Sequence, residues 1–506
     1  MRKFLLASAS LLALTACDLS PDYTLPNFAL PSLFKEDTVV AEATVEPATD
    51  GKWKRFDEKA KVEEFAWWRM FNDPALDALE EQAMKDNPSL EAAAERVNRA
   101  RAVADNQDAS LFPTLSAGFG PSRQLQSPAS IKPNLPPGTA AVTKPYTLYD
   151  AKGTISYELD LFGKNRNLSR AAADDAQAEE NNYRAARLNL QAEVAQAYYR
   201  LAALRMESAI VQKTIATRSD AFALTRKKRE VGEVDDLIVA SSETDLANVQ
   251  ADAAVLAQNQ ALQEHALAIL VGKLPSELTV GAIALNAKPP VVPAGLPSTL
   301  LERRPDIRVA EKQIAAANAR IGVARTGYFP DISLSATGGF TSGELSDLFE
   351  WSNRTWLIGP LAGTILTQPL FEGGRLAAQL AQSKADYAAS VATYRGSVLQ
   401  AFREVEDQLS GLRNLSDQAA ATSTALRSAT RANDVAKQRY DVGYASHLEY
   451  LDAQRSFLNA QRGQVQVLGN RYVTTIQLVK ALGGSWQAAP LPEKLAEPIS
   501  TPAAAQ

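Results

Sequence analysis

Few side chains in this 506-residue sequence are equipped for chemistry: one cysteine, Cys17, and two histidines, His265 and His447. Cys17 closes the tetrad Leu14-Thr15-Ala16-Cys17, after Arg2-Lys3 and the apolar run Phe4 to Leu14. That arrangement resembles a bacterial lipobox, in which cleavage before the cysteine frees it for covalent lipidation. Several acyl chains then anchor stably where one would be marginal. A second set is Leu448, Asp452 and Arg455. Spacings of four and three put all three on one helix face. The chemistry open to them is ionic, with Arg455 pairing with Asp452 or with a neighbouring chain. His447 and His265 read as packing or surface residues. No acid–base pair, nucleophile–histidine set or metal-ligand cluster stands out, so an enzyme is not expected, and no cofactor beyond a lipid on Cys17. One cysteine also excludes a disulfide within the chain.

The elements that must position these residues are unusual. The chain has 26 prolines, yet none between Pro145 and Pro275 and none between Pro369 and Pro490. Both gaps are rich in Ala, Leu, Gln, Glu and Arg, where an interior proline would cost about 3 kcal/mol of helix stability. The first gap predicts a helix over 168–231, about 95 Å long at 1.5 Å per residue. Leu190, Val194, Ala197, Leu201, Leu204, Ser208, Val211 and Ile215 recur in steps of four and three, as do Tyr387, Val391, Tyr394, Val398, Ala401 and Val405. This is the spacing of a coiled-coil seam. Gly232 and Gly443 stand where the long helices should stop, and a new helical pattern follows each. Glycine at a helix end followed by a short link makes a hairpin.

These elements occur twice. Asn87-Pro88-Ser89-Leu90 is answered by Arg304-Pro305-Asp306-Ile307, and Leu111-Phe112-Pro113 by Tyr328-Phe329-Pro330, both 217 positions on. Asp160-Leu161-Phe162-Gly163 is answered by Pro369-Leu370-Phe371-Glu372, and the segment at Gly232 by that at Gly443. Matches in the same order, with offsets drifting by loop-sized amounts, indicate duplication.

Each copy also carries two stretches of strand-like alternation. Residues 114–120 alternate Leu115, Ala117 and Phe119 with Thr114, Ser116 and Gly118. Residues 331–338 alternate Ile332, Leu334 and Ala336 with Ser333, Ser335 and Thr337. Second strands are expected over 147–161 and 354–371. Roughly ten alternating residues suit a membrane-spanning β-strand, but half-exposed strands of a soluble sheet alternate too. The lipobox favours the membrane. Four strands cannot close a barrel, and lipid does not tolerate an open sheet edge. Spanning strands therefore require a barrel shared between chains. The expected lipid face is Ile332, Leu334 and Ala336, with Ser333 and Ser335 inside.

The net charge of −5 gives no basic face for nucleic acid. After Cys17 no run of 18 uncharged apolar residues occurs, which excludes a transmembrane helix there. The expected organisation is a lipoprotein signal peptide over 1–16 and a lipid-anchored extended lead-in and equatorial segment over 17–74. A first repeat follows over 75–270, a linker over 271–302, a second repeat over 303–486, and a disordered tail over 487–506.

From Trp67-Trp68-Arg69-Met70-Phe71-Asn72-Asp73-Pro74-Ala75-Leu76 onward the sequence resembles the outer membrane factor family, the TolC-like channels of tripartite efflux pumps. The likeness continues through 87–102, 302–339 and 369–409, and through QRYDVGYASHLEYLDAQRSFLNAQR from Gln438. It covers nearly everything from Trp67 to Gly484, and the lipobox points to the branch serving resistance-nodulation-division (RND) pumps. The resemblance implies an α+β chain whose homotrimer forms a twelve-stranded outer-membrane β-barrel continuous with a periplasmic barrel of helices. Its implied partners are outer-membrane lipid, a periplasmic adaptor (membrane fusion protein) and an inner-membrane RND pump. It further implies that the periplasmic end closes where second-repeat hairpin tips converge, with Leu448 and Asp452 facing the axis and Arg455 beside them. Three carboxylates about 7 Å apart would repel by roughly 0.6 kcal/mol per pair at water's dielectric and about 2.4 at an effective 20. Arginines would offset much of that. Closure is then marginal, and a docking partner can open it. The tips at Gly232, Asp235, Asp236 and Gly443 are the expected docking points, with Asp235 and Asp236 solvated or on the partner. Asp18 is a departure, since an aspartate after the lipidated cysteine can retain a lipoprotein at the inner membrane in enteric bacteria. An assembled barrel fixes the outer membrane regardless.

Two other functions stand beside it. A duct for type I protein secretion would share the architecture. A periplasmic adaptor shares lipid anchor and hairpins but lacks duplicated strand pairs.

Overall fold

Helix lengths carry the duplication into three dimensions. In a computed structural model the first repeat's leading helix α2 (Pro88–Ala109) and the second repeat's α5 (Pro305–Thr326) are each 22 residues long. The long helices α3 (Lys164–Glu230) and α6 (Arg375–Asp441) are each 67 residues, about 100 Å. Their return helices α4 (Asp236–Leu270) and α7 (His447–Ala481) are each 35. A short helix α1 (Pro74–Asp86) precedes α2. The structure describes residues 18–24, 34–36, 66–127, 144–281, 283, 285, 288–292, 304–358 and 366–484. Cys17, the signal segment 1–16 and the tail 487–506 lie outside them.

The strands are β1 (Thr114–Gln124), β2 (Tyr146–Leu159), β3 (Asp331–Ser342), β4 (Arg354–Ile358) and β5 (Leu366–Thr367). They form one antiparallel sheet in the order β1-β2-β3-β4, with β5 also on β3. Thus β1 and β3 run four residues further than expected, while the strand expected over 354–371 is described as two pieces. The long helix α3 begins four residues before the expected 168. The cause is Asp160, whose carboxylate accepts the N–H groups of Asn165 and Arg166 at 3.1 and 2.9 Å. Taken as a strand end, Asp160 is in fact the cap that nucleates the helix.

Cross-strand register sorts side chains by polarity. Directly opposed residues share a face. Ser116–Thr154–Thr337 and Thr114–Ser156–Ser335 make polar rows, with the Thr154 and Thr337 hydroxyls 3.0 Å apart. Leu115–Ile155–Ala336 and Phe119–Ala151–Phe340 line the opposite face. That apolar face is bare: Leu115, Phe119, Ile155, Leu334 and Trp356 are all exposed.

The chain divides into two compact units. One contains the sheet with residues 1–26, 99–177 and 311–392; the other contains 27–98, 178–310 and 393–506. These units draw on both repeats. In the sheet-bearing unit the segment just after Cys17 is seated on helices. The Asp18 carboxylate accepts from Asn167 at 3.0 Å and Arg170 at 2.8 Å, and from the Ser20 N–H at 2.9 Å. Burial alone would raise the Asp18 pKa, but the bonds from Ser20, Asn167 and Arg170 hold it below the ordinary range.

In the helical unit the tryptophan-rich motif forms a 3-10 turn, Trp67–Phe71. The Trp67 indole donates to Gln191 at 3.1 Å, and Phe71 packs on Tyr199 and Tyr472, which stack with centroids 4.4 Å apart. Asp73 caps α1 and accepts from the buried Tyr198 hydroxyl at 2.8 Å. The motif therefore ties α1 to a helix of each repeat. The expected seam is confirmed by burial of Leu190, Val194, Ala197, Leu201 and Val211, and of Tyr394, Val398, Ala401 and Val405. At Gly469 a Cβ would lie 2.7 Å from the Ala203 methyl, so only glycine allows α7 its approach to α3.

Candidate functional site at the hairpin tips

Both hairpins turn by the same device. Gly232 and Gly443 have φ of +80° and +81°, a left-handed conformation glycine adopts without strain. The next N–H reaches back to the helix, Glu233 to the Lys228 carbonyl at 2.8 Å and Tyr444 to the Arg439 carbonyl at 2.7 Å. This is the Schellman closure of a helix end. The return helices start on side-chain caps: Asp235 accepts from Ile238 N–H and Ser446 from Glu449 N–H, each at 3.1 Å.

The tip acids are therefore engaged within the chain rather than merely solvated. Asp235 is the α4 cap, and Asp236 pairs with Arg229 at 2.6 and 3.2 Å while staying exposed. That guanidinium holds the Asp236 pKa below its ordinary value.

On α7, Leu448 and Asp452 share an exposed face, at 63% and, for the Asp452 side chain, 64% exposure. Arg455 does not simply join them. Its Nη1 lies 3.4 Å from Asp452, but Nε and Nη2 donate to Asp245 of α4 at 2.9 and 2.6 Å. Asp245 is buried, its side chain 3% exposed, and its carbonyl accepts from buried Arg218 of α3 at 2.9 Å. Asp245 Oδ2 faces Arg218 Nη1 at 3.3 Å as an ion pair without aligned hydrogen bonding. One turn nearer the tip, the His447 Nε2 and Ser242 Oγ lie 2.8 Å apart. Seven residues beyond Arg455, Arg462 donates to Glu207 at 2.7 Å and to Asp252 at 2.8 Å. Buried Leu451 and Leu458 alternate with these polar links.

Electrostatics follow from burial. The Asp245 carboxylate raises the exposed-side Arg455 pKa, whereas desolvation dominates at Arg218 and lowers it despite the same partner. Desolvation likewise lowers the His447 pKa, opposed by Asp245 and reinforced by Lys228. His447 Nδ1 is buried without a hydrogen-bond partner, so an added proton there would be poorly accommodated. His265 is exposed.

Sequence reasoning brought Leu448, Asp452 and Arg455 together but missed Asp245, Arg218 and Arg462. A signal existed. Asp245 and Asp252 are seven apart, as are Arg455 and Arg462, and each acid–base pair is separated by 210 residues. That separation is within one residue of the 211 by which α4 and α7 start apart. Facing positions of duplicated helices thus carry opposite charge.

This site sits at the tips of paired hairpins, in a chain whose sheet exposes an apolar face. Comparison places the combination. The family model described as outer membrane efflux protein matches residues 79–273 and 296–484, one segment per repeat. The chain is similar to a Pseudomonas putida protein, the probable efflux pump outer membrane protein TtgC, at 33% identity over 96% of both chains. It is likewise similar to outer membrane protein OprJ of Pseudomonas aeruginosa, at 34% identity over 95% of each. The Campylobacter jejuni CmeC outer membrane channel superimposes with a TM-score of 0.82 at 25% identity, covering 92% of this chain and 95% of that one. With both repeats, both hairpins and the sheet accounted for in these matches, the chain belongs to the outer membrane efflux protein family.

Proposed function

We propose that the protein is the outer-membrane duct of a tripartite RND-type efflux system, a passive homotrimer that exports small molecules and opens at its periplasmic tip when a partner docks. The single observation carrying this reading is the sheet. Among the described residues it has two unpaired edges, β1 and β4, and an exposed apolar face. In lipid such edges must be closed by another copy. Three copies of a four-strand set give the twelve-stranded barrel, and the long hairpins of three copies supply a helical conduit.

Within this reading Leu448 and Asp452, exposed on one face of α7, line the constriction. Arg455 tethers that helix to α4 through Asp245. The tips at Gly232, Asp235, Asp236 and Gly443 meet the periplasmic adaptor, and Cys17 carries a covalent lipid in the outer membrane. The chain performs no catalysis; substrate choice and energy come from the inner-membrane pump. The test is the mass of detergent-extracted protein together with lipid labelling. Wild type should be a labelled trimer and Cys17→Ser an unlabelled one. A monodisperse monomer contradicts the shared barrel, and an unlabelled wild type contradicts the anchor.

A further inference from the structure

On the apolar face of the sheet one row reads Phe119–Ala151–Phe340–Arg354. Arg354 is the odd member, an exposed cation among apolar side chains. Its own face offers it no counter-charge. Strands β1, β4 and β5 contain no Asp or Glu. The acids of β2 and β3 are Asp150, Glu158 and Asp331, and alternation puts all three on the polar face. The Arg354 guanidinium lies instead over the Trp351 ring, 4.7 Å from its centroid, and donates to the Trp351 carbonyl at 3.1 Å. Most of its five N–H donors therefore have no protein acceptor among the described residues.

Large rings frame this cation. Trp356, two residues along β4, is 70% exposed, and Trp351 is 72% exposed. Phe340, opposite Arg354, packs edge-on against Phe349 of the β3–β4 turn with centroids 5.7 Å apart, and Phe349 is exposed as well. Height along the sheet explains the company. The helices attach at the Leu159 and Asp331 ends of β2 and β3, so the turn after Ser342 lies at the far end. From Ile332 to Phe340 the strand advances eight residues, about 26 Å at 3.3 Å each. At a tilt of about 40° that is roughly 20 Å of a 25 Å apolar band. Arg354 thus stands near the outer boundary of the lipid, where a charge is tolerated if an anion or water meets it.

We infer that Arg354, framed by Trp351 and Trp356, binds the phosphate of a lipid headgroup in the outer leaflet. A planar guanidinium suits the two-point recognition of phosphate oxygens, and tryptophan rings sit at headgroup level. A soluble anion would leave Trp351, Trp356 and Phe349 bare, whereas a lipid covers them with its acyl chains. This inference rests on the proposal that the sheet spans the outer membrane with its apolar face to lipid, and it adds which lipid group the face holds and where.

Native mass spectrometry of the full-length protein in detergent tests it, titrated with lipid A and with the same lipid stripped of its phosphates. Wild type should bind the phosphorylated form, one per copy, and the stripped form about tenfold or more weakly. Arg354→Gln should bring the phosphorylated form down to the level of the stripped one, and Arg354→Lys should restore part of the difference. Trp351→Ala should weaken binding in the same direction and carries the test if Arg354→Gln disturbs assembly, which the same spectra report. Lys152→Gln removes a cation from the opposite face and should bind as wild type does. Three results overturn the site: Arg354→Gln and Trp351→Ala both binding like wild type, Lys152→Gln losing as much as Arg354→Gln, or inorganic phosphate displacing the lipid mole for mole. A wild type that stays monomeric overturns the shared barrel and not the lipid contact, which the titration still reads.

Discussion

Arg455 of α7 and Asp245 of α4 are 210 residues apart in sequence and bound through two nitrogens, at 2.6 and 2.9 Å. The bond joins the return helix of one repeat to that of the other near the tips. It also shields a carboxylate that α3 holds from the other side through Arg218. Removing either partner should loosen the tip, but not equally. Asp245→Ala leaves buried Arg218 without the carboxylate it touches, a loss on the order of 3–5 kcal/mol for breaking a buried pair. Arg455 is 45% exposed, so Arg455→Ala should cost about 1 kcal/mol by the standard of exposed pairs, with water replacing its bonds. Chemical denaturation of the two single variants and the double variant checks this. The double should lie close to Asp245→Ala alone; additive losses would mean the pair is not coupled.

His447 should make the same region sensitive to acid. Burial lowers its pKa in the folded protein, so between that value and about 6.5 the unfolded chain binds more protons. Its contribution to stability is then complete above about pH 6.5 and is lost as pH falls toward the folded value. Amide protection at α4 and α7 near Ser242 and His447, measured against the intrinsic exchange rate at each pH, should fall from pH 7.5 to pH 5.5. His447→Asn should flatten that dependence. An unchanged pH response in the variant would assign the effect to other groups.

The sheet gives a third prediction. Leu334 and Ser335 are adjacent on β3 and point to opposite faces, Leu334 opposite Tyr157 and Ser335 opposite Ser156. Leu334→Arg should cost about 2–4 kcal/mol of stability in a bilayer, and Ser335→Arg far less. Refolding titrations into lipid vesicles measure both. Equal costs would contradict the assignment of faces.

Much of this architecture could be read from the residues. Proline-free gaps marked the 67-residue helices because a single interior proline would break them, and Gly232 and Gly443 marked the turns because only a left-handed residue closes those ends. Alternation marked β1 and β3. What escaped were features decided by contact between distant segments. Asp160 looked like the end of a strand because its role as a cap depends on the following turn folding back on its carboxylate. Arg455 does meet Asp452, at 3.4 Å, but its stronger bond to Asp245 escaped because spacing reveals neighbours on one helix and not the helix opposite. The cap that exposed Asp235 gives α4, and the pairing of exposed Asp236 with Arg229, escaped for the same reason. Asp18, at a position that can direct a lipoprotein to the inner membrane, has its carboxylate held by Asn167, Arg170 and Ser20, partners the local sequence could not supply.

If Leu448 and Asp452 close the duct at its periplasmic tip, with Arg455 tethering α7 to α4, single-channel conductance in planar bilayers reads the closure directly. Wild type should pass little current. Leu448→Ala removes the apolar plug, Asp452→Ala the carboxylate ring, and Arg455→Ala the tether to Asp245, so the triple variant should conduct several-fold more while remaining a folded trimer. Asp452→Ala alone should also weaken block by divalent or trivalent cations added on the periplasmic side. A folded triple variant that conducts like wild type would place the constriction elsewhere on the duct.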